Sequence, residues 1–275
     1  MPSVVNGETA AGTWIDAHIH VDHYEEAERE SLLERAFDAG AAAVVAVSMH
    51  LPSSIVNREL ALAHPPNRVH PAYGFHPEQP IPSASELDEL FAWIRARHAE
   101  GESFAIGEVG LPYYTRTEAE AVGQSFDELP YLALLERFAA LAAELERPIV
   151  LHAVYEDADK ACDILERSGV RSAHFHWFKG SEATVRRMIT AGYFVSVTPD
   201  IAYEAEIREL AVQYPVDLLM AETDGPWPFE GPYEGRMTEP AMSQDVAAHI
   251  AAIKQQPLEH VRTTLLQNTK RLYGI

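Results

Sequence analysis

Cysteine is nearly absent from this 275-residue chain: Cys162 stands alone, so no internal disulfide can form. A single thiol in a helix-forming stretch reads as buried and inert, and it is compatible with a reducing compartment. Basic residues are scarce as well. The 21 Lys and Arg face 42 Asp and Glu, a formal net charge of -21. A field of that sign repels polyanions at long range, which argues against coating of nucleic acid irrespective of its sequence. It leaves room for a site that grips phosphate locally through cations. No apolar run approaches the ~20 residues of a membrane-spanning helix. The stretch Met1–Thr13 has no basic residue and no apolar centre, unlike a secretory leader, so the expected location is the cytoplasm. Also missing is a glycine-rich phosphate turn after the first apolar run, where His18-Ile-His-Val-Asp-His23 stands instead.

What is present is a large apolar fraction, 47%, in a regular alternation. Short β-branched or apolar runs at Trp14–Val21, Ala42–Met49, Val69–Phe75, Phe104–Gly110, Ile149–Ala153, Ala173–Trp177, Tyr193–Val197 and Leu218–Glu222 read as strands. Longer stretches with apolar residues at three- and four-residue spacing lie between them. Ser85–Ala99 puts Leu87, Leu90, Phe91 and Ile94 on one face, and Leu132–Glu146 is rich in good helix formers. Eight strand-helix units imply a parallel sheet closed into a (β/α)8 TIM barrel over about 14–275, within a single domain 1–275. Leu111–Phe126 and Asp224–Ser243 read as long loops over the mouth of that barrel.

The carboxyl ends of barrel strands converge on one mouth. His18 and His20 end the first strand there, and their two-residue spacing points both imidazoles to one side. Glu108, His152 and His176 end the fourth, fifth and sixth strands, and Asp224 follows the eighth. Four neutral nitrogens and two carboxylates aimed at one small volume are a metal centre. The ligand mix suits zinc, manganese or a similar divalent ion, whereas magnesium alone would favour oxygen ligands. Six ligands exceed what one open catalytic zinc uses, so two ions are expected, with Glu108 as the bridge because it falls between the histidine groups in strand order. Glu222, two residues before Asp224, faces the same way, as a base or as a structural partner of a ligand. His174 lies one layer deeper than His176 and is expected to support a ligand.

The motifs Asp16-Ala-His18-Ile-His20, Gly74-Phe-His76-Pro77, Gly107-Glu108-Val-Gly110-Leu111, Pro148-Ile-Val-Leu-His152, His176-Trp-Phe-Lys-Gly180 and Glu222-Thr223-Asp224, in this order, resemble the TatD metal-dependent hydrolases. Those are amidohydrolase-like TIM barrels, and the resemblance runs from about Ile15 to the carboxyl terminus. It implies a two-metal deoxyribonuclease-type phosphodiesterase or a closely related hydrolase. It further implies that His18, His20, Glu108 and Asp224 hold one ion and that Glu108, His152 and His176 hold the other. His76 would contact a substrate phosphate, and Asp224 would also orient or deprotonate the attacking water. Pro112 stands where many members have an acidic residue, and Ala153-Val154 where they often have Ser-Arg. These departures bear on DNA as the substrate more than on the metal site.

DNA or another phosphodiester is therefore the expected substrate, with a small ester, lactone or amide as the alternative and a metal-binding scaffold without turnover as a third class. No obligate protein partner is evident. Basic side chains around the metals, from Arg116, Lys179 and Arg236, would favour phosphate. Tyr113, Tyr114, Trp227, Phe229 and Tyr233 either pack the loops or stack on bases, with packing the default.

Overall fold

The computed structural model describes residues 13–275, so of Met1–Thr13 only Thr13 falls within the described residues. Eight strands form one sheet in chain order: β1 Trp14–Ile19, β2 Ala41–Val47, β3 Val69–Tyr73, β4 Ala105–Gly110, β5 Ile149–His152, β6 Ala173–Phe175, β7 Phe194–Val197 and β8 Leu219–Ala221. Each pairs in parallel with the next. The last strand returns to the first. Asp224 N–H donates to the His18 carbonyl at 2.9 Å, and His20 N–H donates to the Gly225 carbonyl at 2.8 Å. Below them the buried Asp16 carboxyl meets the Thr223 N–H at 3.0 Å and its hydroxyl at 2.5 Å. The barrel that the alternation predicts is present.

Helices α1 (Glu26–Asp38), α2 (Leu51–Ala63) and α3 (Ala84–Ala99) follow the first three strands. Next come α4 (Tyr113–Ala121) and α5 (Leu129–Leu145) after β4, α6 (Glu156–Ser168) after β5 and α7 (Glu182–Ala191) after β6. After β7 comes α8 (Ala205–Gln213), and α9 (Ser243–Lys254) and α10 (Leu258–Tyr273) complete the chain. The stripe Leu87, Leu90, Phe91 and Ile94 is buried as its spacing predicts, and the Phe91 ring stacks on Phe138 of α5 at 4.6 Å. Burial of each such side chain contributes roughly 1.5–3 kcal/mol. Among the described residues no helix is long and apolar enough to cross a membrane.

Small residues occupy the barrel interior because eight strands leave little room there: Ala17, Ala43, Ala72 and Ala105 alternate with Val45 and Val150. Leu272 and Tyr273 at the end of α10 close the interior from the amino-terminal ends of the strands, where Tyr273 packs against His70 of β3. The opposite end stays polar.

Two expectations need correction. Most strands end one or two residues earlier than their apolar runs, so His20, His176 and Glu222 stand just past the strand ends, where their N–H groups still bond to neighbouring segments, and His76 and Asp224 lie on the mouth loops as expected. The stretch 111–126 is not all loop, because α4 occupies its centre. The amide N–H groups of Tyr114 and Thr115 at the start of α4 donate to the Glu78 carboxylate at 2.8 and 2.7 Å. A carboxylate there satisfies orphan donors and complements the helix dipole. It comes from the loop after β3, so nothing local announces it.

Candidate metal centre

Glu108 on β4 is the fully buried hub of the mouth. Two glycines let it sit there. A Cβ on Gly110 would lie 1.8 Å from the His152 carbonyl oxygen, and one on Gly74 would lie 2.7 Å from that of Glu108. Side chains at either position would push β4 away from its neighbours.

The two oxygens of Glu108 face different groups. Oε2 is 3.1 Å from His18 Nε2 and 3.2 Å from His20 Nε2. Asp224 Oδ1 closes this set, 3.3 Å from His18 Nε2 and 3.5 Å from His20 Nε2. Oε1 is 2.7 Å from His176 Nε2, 3.2 Å from His76 Nε2 and 3.3 Å from His152 Nδ1. The six residues read as ligands, together with His76, are thus gathered around one carboxylate.

Hydrogen bonds fix which ring nitrogen carries each proton. His76 Nδ1 accepts the Glu78 N–H at 3.1 Å, so a neutral His76 carries its proton on Nε2 and presents a donor. His152 is the reverse. Its Nε2 lies 3.2 Å from Glu78 Oε1 and donates to it, which leaves the Nδ1 lone pair facing Glu108. That lone pair is 3.2 Å from His176 Nε2, an arrangement that needs a proton or a cation between the two nitrogens.

Burial works against charge throughout this cluster, and mutual attraction overrides it. Glu108 is held well below the usual carboxylate range because the rings of His176, His76 and His18 outweigh its burial. His18 is pushed up to about 9 against burial and the neighbouring His176, by Glu108 and Asp224. Burial instead brings His76 down to about 4, keeping it neutral. His18 Nδ1 and Nε2, His20 Nδ1, both Glu108 oxygens and Asp224 Oδ1 are buried without a hydrogen-bond partner. Unpartnered buried polar atoms are costly, and their convergence in a set of imidazoles and carboxylates fits divalent cations. Groups able to hold an ion include His18, His176 and Asp224; His18, His20 and Glu108; and His76, Glu108 and His152.

Both oxygens of Glu222 have hydrogen-bond partners. It is fully buried, with Oε1 accepting the Trp177 N–H at 2.8 Å and Oε2 the Ser196 hydroxyl at 2.5 Å. Its Oε1 also faces His176 Nδ1 at 3.7 Å.

Of the three cations that would favour phosphate if they surrounded the metals, Arg116 is tied to carboxylates. Arg116 is buried among Glu156 and Asp157, each at 2.9 Å, Glu128 at 3.6 Å and Glu120 at 3.7 Å. Lys179 sits over the Trp177 ring and Arg236 over that of Tyr233. Phe229 and Tyr233 are buried packing residues, whereas Tyr114 and Trp227 stay 42% and 56% exposed.

Sequence reasoning missed Glu78, whose signal was an acidic residue directly after Gly74-Phe-His76-Pro77. It also left Asp22 and His23 unassigned. The His23 ring stacks on His20 at 5.0 Å, and Asp22 accepts the Ser53 hydroxyl at 2.7 Å.

A family model described as TatD related DNase matches residues 15–274. A Haemophilus influenzae protein named an uncharacterized metal-dependent hydrolase is 35% identical, over 94% of this chain and 99% of its own. YabD of Bacillus subtilis, named in the same terms, is 27% identical over 94% of this chain and 97% of its own. The crystal structure of YjjV, a TatD homolog from Escherichia coli, superposes with a TM-score of 0.82 at 24% identity, covering 96% of this chain and 98% of that one. At that identity the likeness speaks to the fold.

Proposed function

Given that this chain belongs to the TatD family of metal-dependent hydrolases, we propose that it cleaves a phosphodiester, as in DNA, at a pair of divalent ions. The observation that carries this reading is the division of the Glu108 carboxylate, with Oε2 toward His18 and His20 and Oε1 toward His176 and His152. His18, His20, Glu108 and Asp224 would hold one ion; Glu108, His152 and His176 would hold the other. Mixed imidazole and carboxylate donors suit zinc or manganese better than magnesium. Divalent ions there supply Lewis acidity and lower the pKa of water.

The protein's own groups do the rest. Asp224 accepts the proton of the attacking water. The neutral His76 donates its Nε2–H to a non-bridging phosphate oxygen, a bond that strengthens as charge builds there. Glu78 and Glu222 keep the rings of His152 and His176 turned toward Glu108. The half-exposed Tyr114 and Trp227 can stack on an unpaired base.

A second reading, hydrolysis of a small ester, lactone or amide, is favoured by the engagement of Arg116 with four carboxylates. A phosphate-gripping arginine would be expected free. Turnover by zinc- or manganese-loaded protein on single-stranded DNA, a generic phosphodiester, a lactone and an N-acyl amino acid separates the two. Phosphodiesters should be the best substrates. Faster turnover of the lactone or the acyl amino acid would replace the first reading with the second.

A further inference from the structure

A buried hydrogen-bond chain runs from the closed end of the barrel to the mouth. The Tyr273 hydroxyl, at the end of α10, lies 2.7 Å from His174 Nδ1. His174 Nε2 is 2.5 Å from Ser196 Oγ, and the Ser196 hydroxyl donates to Glu222 Oε2 at 2.5 Å. Tyr273, His174, Ser196 and Glu222 are all buried. The polarity of the chain can be deduced. Ser196 gives its one proton to a carboxylate that only accepts, so it must accept from His174 Nε2–H. A neutral His174 then has its lone pair on Nδ1, which takes the Tyr273 proton. Every donor points toward Glu222.

From this geometry we infer that Tyr273, His174 and Ser196 are positioning residues for the metal centre: they hold Glu222 where it orients His176, so that Nδ1–H faces Glu222 and Nε2 faces Glu108. None of the three lies at the mouth, and they come from α10, β6 and β7. An isolated buried carboxylate would take up a proton or turn to find donors. Here one oxygen is held by the Ser196 hydroxyl and the other by the Trp177 N–H, and His176 Nδ1, 3.7 Å from Oε1 and without a hydrogen-bond partner, is the ring atom that this fixed carboxylate faces. The chain also ties the last turn of α10 to the site, so the end of the polypeptide contributes to ligand geometry at a distance.

The inference rests on the metal reading only for its effect on metal affinity, and the test separates the two. Ser196→Ala removes both links at the centre of the chain, Ser196→Thr keeps the hydroxyl, and Tyr273→Phe removes only the distal one. Histidine-labelled protein would be followed by ring nitrogen NMR, free of metal and with zinc, and zinc affinity measured by chelator competition. The expected result is a changed His176 ring signature in metal-free Ser196→Ala and a smaller change in Tyr273→Phe. Affinity for one zinc should fall about 10-fold or more in Ser196→Ala, in line with other outer ligand partners, with recovery in Ser196→Thr. Thermal melts that stay cooperative in all variants show that folding is retained. An unchanged His176 signature in folded Ser196→Ala and Tyr273→Phe would overturn the inference. If zinc leaves the wild-type His176 ring unperturbed, the ligand assignment fails, and the metal-free spectra still decide on the chain.

Discussion

His152 Nε2 lies 3.2 Å from Glu78 Oε1, and this one contact determines that the opposite nitrogen of the ring faces Glu108. The same carboxylate accepts the first amides of α4, so Glu78 joins three mouth segments. Glu78 itself is drawn down to about 2, because its bonds to His152 and α4 outweigh partial burial. Glu78→Ala should weaken one metal ion by about 10- to 100-fold. The lost cap should also cost about 1 kcal/mol of stability. Glu78→Gln, whose amide oxygen still accepts Nε2–H, should lie between the variant and wild type. Chelator competition and urea unfolding measure the two effects, and unchanged affinity in Glu78→Ala would contradict the role.

Glu108 touches both donor sets, so its loss should empty both. Elemental analysis of Glu108→Ala after zinc loading and desalting is expected to find little of either ion. His152→Ala should mainly empty one. Two full equivalents in Glu108→Ala would rule out a bridge.

Asp224→Asn keeps size and one oxygen but removes the proton acceptor. Turnover should fall by ~10² to 10⁴, while the ion assigned to Glu108, His152 and His176 stays bound. Near-normal turnover with intact metals would place the acceptor on another group. Glu222 is a poor substitute, since Ser196 and Trp177 already occupy its oxygens.

His76 presents an N–H donor to the site, because its other nitrogen already accepts the Glu78 amide. His76→Phe should therefore retain both metals and lose about 10- to 100-fold in kcat/KM, the scale of one hydrogen bond to a charged group. Loss of metal in this variant would instead mark His76 as a ligand.

His70, far from the site, reports on stability. Burial, with some help from Arg147, brings its pKa down to about 4. The unfolded chain takes up a proton near pH 6.5, and the native ring only near 4. Between these values the unfolded state binds more protons, so the contribution is complete above about pH 6.5 and is lost as pH falls toward 4. Wild type should lose roughly 3 kcal/mol of stability relative to His70→Leu as pH falls across that window. Urea midpoints from pH 4 to 8 measure it. A difference independent of pH would show that His70 titrates normally.

Much of the fold and of the cluster of candidate ligands was legible because both depend on local pattern. Strand-helix alternation with short apolar runs dictates a parallel barrel, and strand periodicity aims His18 and His20 to one side. The order of the motifs carries the resemblance to the family, and the mouth of a barrel gathers what its strand ends bear. The ends of most strands were less legible, since the apolar runs continue one or two residues beyond the strand into the loops, whereas Gly110 and Val197 end their strands as expected.

What only the tertiary structure decided was which partner each polar group finds. The proton positions on His76 and His152 follow from Glu78, which lies 74 residues from His152 in the chain. Glu222 is oriented by a chain that begins at Tyr273, 99 residues beyond His174. Arg116, which the sequence places in the loop after the fourth strand, is enclosed by Glu156, Asp157, Glu128 and Glu120. Apolar burial is nondirectional and leaves a periodic trace in the sequence. A hydrogen bond needs one atom of one side chain at about 3 Å, and that meeting is made by folding, with no trace in the residues that flank it.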